Sequence, residues 1–329
     1  MEKKLEIAHF TDPLCFWCYA MEPEMRKIRV LLDDRLEYRI VMGVLSSDVR
    51  EIIGGGENAD LRFEFYRAML SNYLRQAAES VGMPITVDNL MTGSPEELVS
   101  LPLSLAYCAM KMIDEDIAEA YLRRMRERVF AEGRSLSAID DQVELAREFP
   151  IDVEQFRDNI ESEAAVPVLQ EGVDECRLHG VVAFPTLMMQ YGENRISMHG
   201  YHNFDELKEA ITFVTGGDIT LSDAEYSIGA LETYVDRFGK AAAREIQIMF
   251  SLDDMQLANA MMDLVSTGRY KTQSCGTSYF AVPKEPRLCG GRICELKQPR
   301  RTCLPWTISS SGAARKRLRF SRGSACKAL

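Results

Sequence analysis

Two cysteines near the start of the chain, Cys15 and Cys18, are separated by only two residues, Phe16 and Trp17. Thiols at this spacing can form and break a disulfide, so the pair can act as a redox dithiol. The same spacing also supplies two of the four ligands of a structural zinc site. A third possibility is a vestigial redox site that now serves another purpose. The choice depends on the elements that hold the pair and on the other ligands within reach.

The pair lies where a predicted strand passes into a predicted helix. Residues 4–10 alternate between apolar and polar side chains, which is typical of a strand. Residues 15–32 carry apolar side chains at spacings of three or four, which predicts a helix, and residues 35–45 predict a second strand. Because such a crossover is right-handed, the two strands are expected to be parallel neighbours.

This placement has an electrostatic consequence. At the start of a helix, unpaired backbone N–H groups and the helix dipole favour a thiolate, here on Cys15. Cys18 lies one turn inside the helix and can close a disulfide with Cys15. Pro23 lacks a backbone N–H and is expected to bend the helix. Because no imidazole lies between the cysteines, we do not expect a strongly oxidising disulfide.

Residues 181–189 follow a long helical stretch and return to a strand pattern, and Pro185 lies among them, just before the strand itself. In a thioredoxin-type topology, a cis-proline faces the dithiol at this place. We therefore expect Pro185 to face Cys15. Its backbone would then offer strand-like hydrogen bonds to a thiol-bearing peptide.

A zinc site would need two more ligands than the cysteine pair provides. No second Cys-x-x-Cys pair lies in the predicted folded part, and the chain has only four histidines: His9, His179, His199 and His202. Three cysteines near the C-terminus are loosely spaced and no histidine follows them: Cys289, Cys294 and Cys303. We predict neither a metal site nor a bound cofactor.

Two other cysteines have structural interpretations. Cys108 lies among apolar residues of a predicted helix and is interpreted as a core residue. Cys176 and His179 lie one turn apart just before Gly180, and they are interpreted as part of a helix end.

The charge of the 329 residues is unevenly distributed around a net value of −11. Residues 284–329 contain twelve Lys or Arg and two acidic residues, so the rest contains 27 basic and 48 acidic residues. So acidic a body is unsuited to nucleic acid, because phosphate neutralisation supplies much of that affinity. A basic protein partner fits it better.

The chain contains no run of about 18 uncharged apolar residues, so no membrane span is predicted. Its first residues, MEKKLEIAHF, lack the apolar run and small-residue cleavage site of a secretory signal. We therefore expect a cytoplasmic location, where thiols are kept reduced.

The pattern predicts three parts. Residues 1–217 have the order strand–helix–strand, a helical block at about 58–179, then strand–strand–helix, which predicts an α/β domain with a helical insertion. Residues 218–281 contain three short predicted helices and a hairpin, the outline of a winged-helix-like module. Residues 282–329 are basic, lack apolar periodicity and are predicted to be a disordered tail.

Together these features resemble the DsbA-like branch of the thioredoxin superfamily, over about residues 3–216. The features that carry this resemblance are the Cys-x-x-Cys pair, the helical insertion, Pro23 and Phe184-Pro185-Thr186. A narrower motif is similar to the cytosolic SpxH/YjbH adaptor family, as is the helical module after residue 220. That motif is Asp12-Pro13-Leu14-Cys15-x-Trp17-Cys18 followed by Glu22-Pro23.

The narrower resemblance implies an adaptor that binds the redox regulator Spx and promotes its degradation by the ClpXP protease. Cys15, Cys18 and Pro185 would then form a redox or vestigial redox site. The alternative is a cytosolic DsbA-like thiol-disulfide oxidoreductase or isomerase. In that enzyme Cys15 would attack, Cys18 would resolve the mixed disulfide and Pro185 would position the substrate. We favour the adaptor.

Overall fold

The computed structural model describes residues 3–86 and 94–285, and the backbone of residues 288–289 and 292–293. A four-stranded sheet with the order β2–β1–β3–β4 forms the centre of the N-terminal part. Its strands are β1 (Leu5–Thr11), β2 (Leu36–Met42), β3 (Thr186–Tyr191) and β4 (Asn194–His199). As the sequence predicts, β1 and β2 are parallel, while β1 pairs with β3, and β3 with β4, in antiparallel fashion.

The helix after β1 is divided in two. The sequence predicts one helix over residues 15–32, whereas the structure has α1 (Phe16–Ala20) and α2 (Glu22–Leu32). Pro23 lies in the first turn of α2 and has no N–H to donate to the carbonyl of Tyr19. The chain therefore breaks at Met21, and the expected bend is a boundary between two helices.

Seven helices separate β2 from β3 within the described residues, as a helical insertion predicts. They are α3 (Val49–Ile53), α4 (Ala59–Val81), α5 (Leu101–Lys111), α6 (Glu115–Arg126), α7 (Ile139–Ala146), α8 (Val153–Glu161) and α9 (Ala165–Leu178).

Two boundaries in this insertion differ from the prediction. The single helix predicted over residues 152–179 is two helices, α8 and α9, because Glu163 between them adopts a positive φ of 61°. The helix predicted from residue 95 begins only at Leu101, after a 3-10 turn at Pro95–Leu98. A π turn at Glu127–Ala131 continues α6.

Gly172 allows α9 to lie directly against β2. A Cβ atom at this position would lie 2.3 Å from the carbonyl oxygen of Met42, which is backbone and cannot rotate away.

We expect Gly172→Ala to lower the free energy of unfolding by about 1–3 kcal/mol, measured by urea denaturation. Gly229→Ala is the control, since a Cβ there meets nothing within 4 Å and should raise stability by about 0.4–1 kcal/mol. Two equal changes would refute the close contact.

The last helix of the N-terminal part, α10 (Phe204–Val214), has the predicted bounds. Asn203 caps it, and Glu206 reaches back to the backbone of Asn203 to complete a capping box.

Three helices and a three-stranded sheet follow. They are α11 (Ile228–Phe238), β5 (Ala241–Ala242), α12 (Ala243–Phe250), α13 (Asp254–Ser266), β6 (Tyr270–Cys275) and β7 (Ser278–Pro283). The predicted helix over residues 223–238 begins only at Ile228, since Asp223 pairs with Lys27 of α2 instead. The predicted hairpin is β6–β7, to which β5 adds a third strand in the order β5–β7–β6.

Part of the predicted tail is strand. β7 includes residues 282–283, and a short antiparallel pair follows, β8 (Leu288–Cys289) and β9 (Arg292–Ile293). The remainder of the tail beyond residue 285 lies outside the described residues.

Among the described helices, none combines the length and the apolar character that a membrane crossing requires.

A cluster of buried charges joins the two parts of the chain, and we call it the Glu245 cluster. Glu245 of α12 is fully buried, and its carboxylate lies 2.9 Å from Arg26 of α2 and 3.0 Å from Arg123 of α6. Arg123 also lies 2.6 Å from Glu22 and 2.8 Å from Glu127. Helices of both parts therefore share one ionic network behind the Cys-x-x-Cys helix.

Candidate functional site

Cys15 lies at the junction predicted from the sequence. It is the N-cap of α1 with extended backbone angles, and the backbone N–H of Cys18 donates to its sulfur over 3.4 Å. The backbone N–H of Cys15 in turn donates to the carbonyl of Asp12 over 3.3 Å. The turn between β1 and α1 thus fixes the direction of the Cys15 side chain.

The structure brings all three predicted site residues together. The Phe184–Pro185 peptide bond is cis, and the Cys15 thiol donates to the carbonyl oxygen of Phe184 over 3.4 Å. Cys15, Cys18 and Phe184 belong to one buried apolar cluster. This is the geometry expected from the sequence, whereas a redox or vestigial redox role for Cys15, Cys18 and Pro185 stays a prediction.

Both sulfurs are closed off from solvent. Cys15 is 2% exposed and Cys18 is 0% exposed. Phe184 lies in the same buried cluster as both cysteines, and its ring packs so close to Gly43 that a Cβ there would be 2.2 Å from the ring. Cys176, interpreted from the sequence as part of a helix end, is buried in the same cluster. In this conformation, an external disulfide has no open path to Cys15.

Two side chains beside Cys18, His9 and Arg126, were not predicted from the sequence to be part of the site. His9 of β1 is buried, and its Nδ1 atom shares a 2.7 Å hydrogen bond with the hydroxyl of Tyr38. Arg126 at the end of α6 is also buried, and it donates to the Thr11 hydroxyl and, over 3.2 Å, to the carbonyl of Asp12. The only sequence signal was the position of His9 on the apolar face of β1.

These neighbours favour the charged form of the second cysteine. Burial and the contact with Cys18 raise the pKa of the Cys15 thiol well above its usual value. Burial also acts to raise the pKa of Cys18, but its contacts with Cys15 and His9 and the charge of Arg126 outweigh burial and bring it well below its usual value. The sequence favoured a thiolate on Cys15. In the folded chain the backbone N–H of Cys18 acts to lower the pKa of Cys15, but burial and the neighbouring Cys18 outweigh it, whereas His9 and Arg126 lie beside Cys18.

Asp12 holds the loop that precedes the pair. Its fully buried carboxylate accepts hydrogen bonds from the backbone of Leu14 over 2.7 Å and of Leu45 over 2.6 Å. Burial raises its pKa to about 6, although these hydrogen bonds and that of Ser100 act to lower it. Asp12 therefore fastens the Cys15 loop to the segment after β2.

Trp17 packs against the apolar cluster that contains both sulfurs, and it also contacts two other segments of the chain. Its indole N–H donates to the hydroxyl of Tyr73 on α4, and its ring centroid lies 5.7 Å from that of Tyr201. The Tyr201 hydroxyl donates over 2.9 Å to the buried carboxylate of Glu24. The Cys-x-x-Cys segment therefore contacts both the helical insertion and the loop after β4.

Within residues 3–86 and 94–285, no three His, Cys, Asp or Glu side chains are grouped so that they could hold a metal ion. Cys108 is buried in the main core cluster, as the sequence predicts, and burial raises its pKa to about 12. The chemistry that the site offers is therefore that of a buried dithiol beside a histidine and an arginine.

Comparison with known proteins agrees with this geometry. A thioredoxin family model matches residues 9–209. The ClpXP adapter protein SpxH of Bacillus subtilis is 23% identical over 268 residues, which cover 80% of this chain and 84% of that protein. The SpxH of Halalkalibacterium halodurans is 23% identical over 266 residues, which cover 80% and 83% of the two chains.

A solved structure shows the same fold. A putative protein disulfide isomerase from Nitrosomonas europaea superposes with a TM-score of 0.54 and 16% sequence identity, covering 66% of this chain and 100% of that one. The predicted DsbA-like fold and the predicted similarity to SpxH adapters are thus both confirmed. With the match to residues 9–209, which is more than half of its length, the chain belongs to the thioredoxin family.

Proposed function

We propose that the chain is an adapter that binds the redox regulator Spx and promotes its degradation by the ClpXP protease. The names of its curated relatives, ClpXP adapter protein SpxH, support this function over 80% of the chain. The proposal includes a cytoplasmic location, where client and protease would meet. It also includes the division into residues 1–217, residues 218–281 and a basic tail.

The observation that carries the proposal is the burial of the attacking thiol. A thiol-disulfide exchange enzyme needs an accessible thiolate on the first cysteine of its pair. Here Cys15 is 2% exposed, donates to the Phe184 carbonyl and has a raised pKa. The chain has the geometry of a thiol-disulfide exchange site, but its first thiol is buried. Such a site suits a binding protein better than an enzyme.

The charge of the chain supports a protein client. Up to residue 283 the chain contains 27 basic and 48 acidic residues. A surface with such a surplus of acid attracts basic proteins and repels nucleic acid. A basic region of the client would therefore be guided to the adapter.

Added to purified Spx, ClpXP and ATP, the protein is expected to raise the rate of Spx degradation roughly tenfold or more, because tethering raises the local client concentration. The measurement is the loss of intact Spx over time on a gel. An unchanged rate at saturating protein would refute the proposed function.

The double variant Cys15→Ser, Cys18→Ser separates binding from redox chemistry. We expect it to retain adapter activity under reducing conditions, because the sulfurs are buried and do not reach the client. If the variant also matches the wild type under oxidising conditions, the dithiol is not a sensor that controls client affinity.

A second candidate function is a thiol-disulfide oxidoreductase or isomerase that uses Cys15 and Cys18. The 3.4 Å contact between the Cys15 sulfur and the Phe184 carbonyl favours it, since the dithiol lies directly against the segment that would receive a substrate. Reduction of insulin disulfides with a cytosolic electron donor is its assay. Turnover that the double variant loses would support the enzyme.

A further inference from the structure

Helix α4 has a second apolar stripe besides the one that it buries. Its core side is formed by Phe63, Leu74, Ala77, Ala78 and Val81. On the other side lie four large apolar residues with exposures of 70%, 74%, 43% and 38%, which we call the α4 face: Leu61, Phe65, Met69 and Tyr73. A spacing of four residues puts them in one stripe along the helix.

The four side chains of the α4 face carry no charge. The exposed residues along its border are Glu64, Ala68, Asn72 and Gln76, and Glu64 pairs with Arg67 over 2.6 Å. The stripe runs from Leu61 to Tyr73 and is about 18 Å long, because each helical residue rises about 1.5 Å along the axis. In a chain with 27% charged residues, a continuous apolar stripe of this length is typical of a binding surface.

The α4 face is continuous with the candidate site. Its last member, Tyr73, accepts a hydrogen bond from Trp17, which lies between the two cysteines. The rings of Tyr73 and Trp17 also meet edge to face, with centroids 6.3 Å apart. A partner bound along α4 would therefore end beside the Cys-x-x-Cys segment.

We propose that the α4 face binds an amphipathic helix of the client, with the apolar side of that helix against α4 and basic residues along its margins. This inference rests on the proposed function, and it names the surface and the kind of client segment. A stripe of apolar side chains with a four-residue repeat matches the apolar side of a second helix. Basic margins complement the acidic surplus of the chain, with 48 acidic and 27 basic residues up to residue 283.

The size of the α4 face argues against a second copy of the chain as its occupant. The four exposed fractions amount to little more than two whole side chains, on the order of 400 Å². A stable interface of standard size buries about 800 Å² on each partner. The face is therefore too small to hold a homodimer by itself, but it suits one helix of a client that makes further contacts elsewhere.

The test is the affinity of the full-length protein for purified Spx, measured by isothermal titration calorimetry. Phe65→Ala is expected to weaken binding at least tenfold, and the triple variant Leu61→Ala, Phe65→Ala, Met69→Ala about 100-fold. The matched control is Phe213→Ala on α10, since Phe213 is 76% exposed but lies outside the α4 face. It should bind as the wild type does. Because these side chains are exposed, all variants are expected to fold, which circular dichroism checks.

The outcomes separate the two proposals. If wild-type protein binds Spx and Phe65→Ala binds as tightly as Phe213→Ala, this inference is wrong and the proposed function stands. If the wild type does not bind Spx, the proposed function and the assignment of the client fall together. A wild-type dimer in sedimentation velocity that Phe65→Ala dissociates would put a second copy on the α4 face and overturn the inference.

Discussion

Replacing Glu245 with alanine is expected to lower the free energy of unfolding by about 3–5 kcal/mol, because the change leaves buried charges without their partner. Glu245 is fully buried and lies 2.9 Å from Arg26 and 3.0 Å from Arg123. Burial alone would lower the pKa of Arg123, but Glu245, Glu22 and Glu127 hold it well above its usual value. Without Glu245, two guanidinium groups would share fewer carboxylates in a site that water does not reach.

The same substitution removes a helix cap. The Glu245 carboxylate also accepts a 2.6 Å hydrogen bond from the backbone of Ala242 at the start of α12. Glutamine at position 245 can keep this hydrogen bond while it removes the charge. We therefore expect Glu245→Gln to destabilise the protein less than Glu245→Ala.

Urea denaturation, followed by circular dichroism, measures both variants. The control is Asp140→Ala, which breaks the 2.7 Å ion pair between Arg157 and the exposed Asp140. Solvent screens that pair, so its loss should lower stability by less than about 1 kcal/mol. Equal losses for Glu245→Ala and Asp140→Ala would show that the Glu245 cluster does not hold the two parts of the chain together.

The elements with a strong local period were predictable from the sequence. The parallel pair β1–β2 and the bounds of α10 follow from apolar spacing and from a capping signal at Asn203. The division between α8 and α9 was missed because apolar residues continue through it. Pro167, in the first turn of α9, was the available signal for a new helix start.

The candidate site was predictable only as far as its motifs reach. Cys15, Cys18 and Pro185 lie in short patterns whose meeting follows from a known topology. Arg126 reaches Thr11 across 115 residues of sequence, and no local pattern indicates that pairing. The influence of Arg126 on Cys18 was not predicted for the same reason, since the helix dipole is a local property and the position of this cation is not.

The Glu245 cluster illustrates a further limit. Its members come from α2, α6 and α12, and the sequence presents each of them as an ordinary surface residue of an amphipathic helix. In the folded chain these residues come together across helices of both parts, and Arg26, Arg123, Glu127 and Glu245 are buried. Contacts between side chains of distant segments depend on the tertiary structure. No periodic pattern in a single sequence indicates them.

Replacing Glu24 with glutamine is expected to stabilise the protein at alkaline pH and to leave it nearly unchanged in acid. Burial raises the pKa of Glu24 to about 7, although the Tyr201 hydrogen bond and the charge of Arg244 act to lower it, while the charge of Glu245 acts to raise it. The folded chain therefore holds this proton more tightly than the unfolded chain, whose carboxyl has its usual pKa of 4.5. Stability from this group is complete below about pH 4.5 and is lost as the pH rises through about 7.

Glutamine resembles the protonated acid, since its carbonyl oxygen can still accept the 2.9 Å hydrogen bond from Tyr201. At pH 8.5 the wild type must hold a buried carboxylate, whereas Glu24→Gln holds a neutral amide. A shift from 4.5 to about 7 corresponds to roughly 3 kcal/mol, at 1.36 kcal/mol for each unit of pKa. The difference in unfolding free energy between Glu24→Gln and the wild type should therefore grow from near zero at pH 4 to about this value at pH 8.5.

Glu209→Gln on the exposed side of α10 is the control, and its difference from the wild type should not grow in this way. A flat difference for Glu24→Gln between pH 4 and 8.5 would mean that the pKa of Glu24 is nearly the same in the folded and unfolded chains, with a cation such as Arg244 compensating its burial.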